Sequence, residues 1–92
     1  MRELLVRPAA ETDLADAFEW HERKESGLGY RLLATVHDRI DAICENPHGY
    51  ERLERGYQRA QAPPFQYVVL FRATPDRVEV VGVLHTSRDD RV

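Results

Sequence analysis

Four side chains in the second half of the chain have the chemistry to act on, or to hold, a charged group. His85 carries an imidazole, which titrates near neutral pH and could serve as an acid or a base, although a lone histidine at a strand end is usually structural. Arg59 and Arg88 could hold a phosphate or a carboxylate, or could simply be solvated. Tyr67 alternates with the other aromatic and branched residues of 65–71, which favours the core over catalysis.

Two aromatic residues and one cysteine lie on the predicted helices. Trp20 and Tyr30 flank the joint between the helices and would form an exposed aromatic patch for a protein partner if they lie off the core stripe; otherwise they pack against the hairpin. Cys44 is the single cysteine and falls on an apolar helix side, which predicts a buried thiol. No metal-ligand constellation, glycine-rich phosphate loop or nucleophile–base motif is evident, so we expect neither a metal nor a cofactor.

The composition bounds the size and the compartment of the protein. Its 92 residues are 42% hydrophobic and 32% charged, which is typical of one globular domain, 1–92. The charged amino-terminal residues do not resemble a secretion signal, and no stretch has the length of a membrane span, so we expect a cytoplasmic protein. A formal net charge of -3 argues against broad affinity for nucleic acid, because such affinity depends on neutralising many phosphates.

Hydrophobic spacing predicts two helices between short strands. Apolar residues recur at helical spacing over residues 9–25 and again from the glycines of Gly27-Leu28-Gly29 to Asn46-Pro47. Proline ends the second helix because the preceding residue avoids helical geometry. Residues 46–56 are predicted to be loop. The predicted strands are 2–7, 57–61, 65–72 and 77–84.

The predicted order β-α-α-β-β-β indicates an α+β fold. A helical hairpin should pack on one face of a mixed, mainly antiparallel sheet, whose first strand joins after the helical crossover. The other face would stay open for a ligand or partner. On the last strand Val78, Val80, Gly82 and Leu84 are expected to share a face. The predicted core is Leu14, Phe18, Leu33, Val36, Ile40, Ile43, Val78 and Val80.

The joints between these elements resemble those of a known family, the RelE/ParE toxins, along nearly the whole chain. The marks are Asp13-Leu14, Phe18-Glu19-Trp20, Gly27-Leu28-Gly29, Ile40 through Asn46-Pro47, Tyr57-Gln58-Arg59, Phe65-Gln66-Tyr67 and His85-Thr86-Ser87-Arg88-Asp89. The chain departs from the family pattern at Gln66 and Asp90, where such toxins often carry proline. It also ends at Val92, short of an aromatic residue that many relatives have in the tail.

The resemblance implies the toxin component of a bacterial type II toxin–antitoxin system, of the plasmid stabilisation type, whose growth inhibition a cognate antitoxin neutralises. ParE-like members bind and poison DNA gyrase, whereas RelE-like members cut messenger RNA on the ribosome. A metal-free nuclease would need a base, an acid and cations at the phosphate. The candidates for those roles are Arg59, Tyr67, His85 and Arg88, all expected on or just beyond the open sheet face.

The acidic charge balance favours the gyrase mechanism, in which the chain is not an enzyme, over a metal-independent messenger RNA nuclease or a non-toxic scaffold. Trp20, Tyr30, Arg59 and Arg88 are then the residues expected to contact the target or the antitoxin. We expect the antitoxin to bind through a disordered segment that folds over the helical hairpin or the open sheet. Both a homodimer and a toxin–antitoxin hetero-oligomer are compatible with the sequence.

Overall fold

The computed structural model describes residues 2–88, apart from the side chain of Arg88. Asp89 and Asp90, which entered the family resemblance, lie outside these residues. No helix in the described part of the chain has the length and apolar character to cross a membrane. Single turns of 3-10 helix cover Pro47–Gly49, Glu54–Gly56 and Thr86–Arg88. The main elements are β1 (Glu3–Val6), α1 (Pro8–Lys24), α2 (Leu28–Glu45), β2 (Glu51–Arg52), β3 (Tyr57–Gln61), β4 (Tyr67–Ala73) and β5 (Arg77–His85).

The strands form one sheet in the order β1-β5-β4-β3-β2. β1 lies at one edge and runs parallel to β5, whereas the other pairs are antiparallel. The helical hairpin provides the long crossover that a parallel pair requires. The predicted α+β fold, with a hairpin packed on a mixed sheet, is confirmed. The prediction that 46–56 is all loop was wrong, because β2 lies within it and pairs with β3; two residues are too short to show an alternating pattern.

The joint between the helices depends on two glycines with different roles. Gly27 adopts a left-handed φ of 92°, which breaks the helical path. α2 then starts at Leu28, so Gly29, which we predicted to be part of the break, lies inside the helix. A Cβ at Gly29 would lie 2.6 Å from the carbonyl oxygen of Phe18 and 2.8 Å from its ring. Only glycine therefore allows α2 to approach α1 this closely.

A carboxylate of α1 caps the start of α2. The backbone N–H of Gly27 donates to one Glu22 oxygen at 2.8 Å, and the N–H of Gly29 donates to the other at 2.9 Å. These N–H groups belong to the turn that has no helical carbonyl partner. The negative charge also lies at the end of the helix where the backbone dipole is positive. Glu22 thus ties the end of α1 to the start of α2.

The core lies between the hairpin and the sheet. Val36, Ile40, Ile43, Val78 and Val80 are buried as predicted. Leu14 is half-buried and packs against this core. The prediction was wrong at Phe18, which is half-buried outside the core and packs against Tyr30. The prediction was also wrong at Leu33, because the buried leucine is Leu32. Leu32 begins a buried stripe that Val36 and Ile40 continue at intervals of four residues. Leu33 lies beside this stripe and is half-buried.

A bulge in β5 changes which residues face the helices. Leu70 pairs with Gly82 but Phe71 pairs with Val80, so Val81 is an extra residue in β5. Beyond it the alternation shifts, and Val83 is buried in the core. The expectation that Gly82 and Leu84 continue the face of Val80 was therefore wrong. The Asp13 carboxylate of α1 accepts the Val83 N–H at 3.0 Å, which anchors the hairpin to the shifted strand.

We expect Gly29→Ala to destabilise the protein by about 1–3 kcal/mol, because the new methyl group would overlap the Phe18 carbonyl and force the helices apart. Alanine would otherwise stabilise a helix by about 1 kcal/mol. The free energy of unfolding in denaturant measures the effect. Gly49→Ala is the control, because its added Cβ would meet nothing closer than an Asn46 nitrogen at 4.0 Å. A Gly29→Ala variant as stable as the parent would contradict the close approach.

Candidate functional site

Arg59 lies on β3 opposite Leu70, on the sheet face that points away from the helices. Its guanidinium donates to both carboxylate oxygens of Glu51, from Nε at 2.8 Å and from a terminal nitrogen at 3.1 Å. The pairing of β2 with β3 places these two residues directly opposite each other. The hydrogen bond from Arg59 lowers the pKa of the Glu51 carboxyl. The one described arginine among the nuclease candidates is therefore already held by a carboxylate.

Tyr67 and His85 lie on the other side of the sheet. They are direct partners between β4 and β5, with ring centroids 5.3 Å apart. The His21 ring of α1 lies 5.6 Å from the Tyr67 ring. The core position favoured for Tyr67 is confirmed, because Tyr67 packs against the core. The expectation that Tyr67 and His85 belong to the open face was therefore wrong, since the bulge at Val81 turns His85 to the same side as Tyr67.

Hydrogen bonds fix the orientation of both histidine rings. Nδ1 of His21 lies 2.7 Å from the Ala17 carbonyl oxygen, which can only accept, so this nitrogen donates. Nδ1 of His85 accepts the backbone N–H of Ser87 at 3.1 Å and lies 2.9 Å from the Ser87 hydroxyl. A neutral His85 therefore carries its proton on Nε2. Only that nitrogen remains for contact with another molecule.

A cavity of about 450 Å³ opens beside these rings, between the middle of α1 and the end of β5. Asp16 and Trp20 line it together with Tyr67 and His85. Arg59 is not among its lining residues. The structure thus brings two of the four nuclease candidates together and separates the third from them, while the side chain of the fourth, Arg88, lies outside the described part.

The two predicted aromatic contact residues are exposed, but they do not form one patch. Trp20 is 53% exposed and its ring lies 4.1 Å from the Lys24 amine. Tyr30 is 64% exposed and packs edge-on against Phe18 at 4.9 Å. Phe18 and Trp20 are two positions apart on α1, which places them on nearly opposite sides of the helix. The prediction that Trp20 and Tyr30 form one exposed aromatic patch was therefore wrong.

Cys44 is buried near the end of α2, as expected. Burial raises the pKa of its thiol, and the nearby Asp41 charge adds to that effect. A thiol with a raised pKa is a poor nucleophile at neutral pH. The carbonyl of the same residue accepts a hydrogen bond from Arg2 at 3.3 Å, so the residue joins α2 to the strand edge. Cys44 is thus part of the packed core.

One concave surface of the molecule was not expected from the sequence. A groove of about 620 Å³, here called the hairpin groove, runs between β1, α1 and α2 and is also lined by Val80 and Val83 of β5. Carboxylates and one imidazole stand at its rim: Glu11, Glu19, Asp41 and His37. The adjacent residues Leu32 and Leu33 could have indicated this groove, because they make the apolar surface of α2 wider than the stripe that packs in the core. The apolar wall includes Leu4, Val6, Leu14, Phe18, Leu33 and Ile40.

We expect the pKa of Glu51 to lie below that of an ordinary glutamate, and Arg59→Gln to return it to the ordinary range. A lowered carboxyl pKa stabilises the fold above the unfolded-state pKa, and this stabilisation is lost as pH falls through the folded-state pKa. The effect on stability should be slight because the pair is exposed to solvent. NMR titration of the Glu51 carboxyl measures the shift. Arg55→Gln is the control, and an equal response in both variants would refute the pairing.

Known proteins share both the sequence pattern and the fold. The family described as ParE toxin of type II toxin-antitoxin system, parDE, matches residues 4–90. Toxin ParE2 of two Mycobacterium tuberculosis strains is 27% identical over 85 residues, covering 91% of this chain and 81% of theirs.

Two solved structures have the same fold at low sequence identity. The chromosomal ParDE system from P. aeruginosa superposes with a TM-score of 0.77 at 13% identity, covering 92% of this chain and 96% of that one. The E. coli DinJ-YafQ toxin-antitoxin complex gives 0.67 at 12% identity, covering 94% and 93%. At such identities the likeness establishes the fold alone. The family match spans nearly the whole chain, however, and so the chain belongs to the ParE toxin family of type II toxin–antitoxin systems.

Proposed function

We propose that this ParE-family toxin inhibits growth by binding and poisoning DNA gyrase, and that a cognate antitoxin neutralises it. The observation that carries the proposal is the separation of the groups that RNA cleavage would require. Arg59 lies on the sheet face opposite Tyr67 and His85. Inhibition by binding requires a complementary surface and no assembled acid, base and cation.

The separation matters because cleavage of RNA demands convergence. A base must take the 2′-hydroxyl proton, an acid must protonate the leaving oxygen, and a cation must stabilise the phosphate charge, all at one phosphodiester. Among the side chains of residues 2–87, the candidate base and acid share a cavity that the candidate cation does not line. Arg59 is also engaged by Glu51, so a phosphate would have to displace that carboxylate.

The charge of the chain supports the same choice. A factor that inserts among ribosomal phosphates gains affinity from dense positive charge, and this chain has a net charge of -3. A protein target makes no such demand. Trp20 and Tyr30, both exposed, are proposed to contact gyrase or the antitoxin, together with Arg59 and Arg88.

The antitoxin part of the proposal draws on the family and on the hairpin groove. The similar P. aeruginosa and E. coli structures are of toxin–antitoxin systems. In this chain the groove leaves apolar side chains such as Leu4, 43% exposed, uncovered. A domain of this size buries a limited fraction of its surface, so a partner that covers the groove would add substantially to its stability. A segment of the antitoxin that is disordered alone and folds on the toxin fits this surface.

One observation favours the alternative of a ribosome-dependent messenger RNA nuclease. The Tyr67 and His85 rings are in contact at the wall of the 450 Å³ cavity, and Nε2 of His85 is not used by its bonds to Ser87. Such a pair could exchange a proton with a bound nucleotide. The two mechanisms therefore differ in whether the purified protein acts on gyrase or on translated messages.

We expect the purified chain to inhibit supercoiling of relaxed plasmid by gyrase, or to trap gyrase on cleaved DNA. A gel assay of plasmid topology measures both effects, and the chain premixed with its antitoxin is the control. Cleavage of messages at regular codon positions in a translating extract, with gyrase supercoiling unimpaired, would overturn the proposal.

We expect His85→Ala to retain most of the toxicity, because no proton transfer is required of the imidazole. Arg88→Glu should weaken toxicity by reversing a charge proposed to contact the target. Growth after induction of each variant, at matched protein levels, is the readout. A His85→Ala variant that is folded yet harmless would instead assign His85 a role in catalysis.

A further inference from the structure

The hairpin groove is lined mainly by apolar side chains, and the charged side chains at its rim are carboxylates. Its lining contains three carboxylates, those of Glu11, Glu19 and Asp41, and neither lysine nor arginine. Glu19 is partly neutralised by Arg23 on the same helix, at 2.9 Å. Glu11 and Asp41 line the groove, and neither has an ion-pair partner within 4 Å among the described residues.

The charge at the rim agrees with the distribution along the chain. Residues 1–46, which form β1 and the hairpin, contain ten acidic and six basic residues, a balance of -4. Residues 47–92 contain six acidic and seven basic residues, a balance of +1, which together give the net charge of -3. The half of the sequence that contains β1 and the helical hairpin therefore carries the excess of negative charge.

We propose that the hairpin groove binds an amphipathic segment of the antitoxin whose apolar side chains fill the groove and whose flanking lysines or arginines face Glu11 and Asp41. This inference rests on the proposed neutralisation by an antitoxin and adds the chemistry by which the toxin selects that partner. The wall formed by Leu4, Leu14 and Leu33 accepts the apolar side chains. The two rim carboxylates discriminate between cationic and anionic flanks.

Other occupants fit this surface less well. Nucleic acid would bring phosphates towards unpaired carboxylates, which repel them. A second copy of the chain, joined groove to groove about a two-fold axis, would bring the same acidic rim against itself. A cationic amphipathic segment can place its apolar side chains against the wall of the groove and its positive charges next to the rim carboxylates.

The test compares two double variants of the full chain that change the net charge equally. Glu11→Lys/Asp41→Lys reverses the rim, whereas Glu54→Lys/Asp76→Lys reverses two exposed carboxylates away from the groove. The probe is the purified protein encoded by the reading frame beside the toxin gene, and the affinity is measured by calorimetry at low and at high salt. Circular dichroism and thermal unfolding establish that each variant is folded.

We expect the rim variant to bind at least about tenfold more weakly, and the control variant to bind within about twofold of the parent. Added salt should weaken the parent complex more than the rim variant, because salt screens charges at the rim. Equal affinity of the two double variants, or tighter binding by the rim variant, would overturn the inference. The inference would also be overturned if the rim variant bound gyrase more weakly but bound the antitoxin as tightly as the parent does.

Leu33→Ser separates the location of the partner from its charge. We expect it to weaken antitoxin binding, because a polar group would replace part of the apolar wall; unchanged affinity would overturn the assignment of the groove. If Leu33→Ser weakens binding and rim reversal does not, the charge selection is wrong while the antitoxin proposal stands. If the neighbouring protein neither binds the parent chain nor restores growth, the proposed neutralisation itself fails.

Discussion

The contact between Gly29 and the Phe18 carbonyl determines how the two helices meet. With no side chain at this position, α2 lies directly on α1, and Glu22 holds the start of α2 by accepting two backbone N–H groups. A hairpin fixed at this joint presents one apolar stripe to the sheet. Leu14 and Leu33, at the sides of that stripe, stay half-buried and line a groove. The surface proposed for the antitoxin thus follows from a requirement at the helix joint.

The second feature that determines the structure is the bulge at Val81. Just beyond it, the Val83 N–H donates a hydrogen bond to the Asp13 carboxylate of α1. One extra residue in β5 inverts the alternation beyond it and turns His85 towards α1. Arg59, on the undisturbed β3, keeps to the opposite face. A single-residue insertion in one strand therefore separates Arg59 from His85 and Tyr67, and the proposed action by binding rests on this separation.

The order of elements could be predicted from the sequence because hydrophobic periodicity, and the glycines and prolines that end each element, are local features of the sequence. The predicted strand 57–61 agrees with β3, and the helices differ from prediction by a residue or two at their ends. The bulge could not be predicted, since Val78 to Leu84 alternates acceptably without it. The cap by Glu22 joins two elements, so neither helix alone indicates it. Leu32 and Leu33 are adjacent, and only packing against the sheet decides which one is buried.

Action by binding differs from action by catalysis in its stoichiometry, and a titration of purified toxin measures that difference. The toxin is added in increasing amounts to gyrase with plasmid and, separately, to a translating extract of known ribosome and message content. Binding predicts that inhibition of supercoiling is complete when toxin and gyrase are close to equimolar, while messages stay intact. One toxin molecule cleaving many messages in the extract would contradict the account.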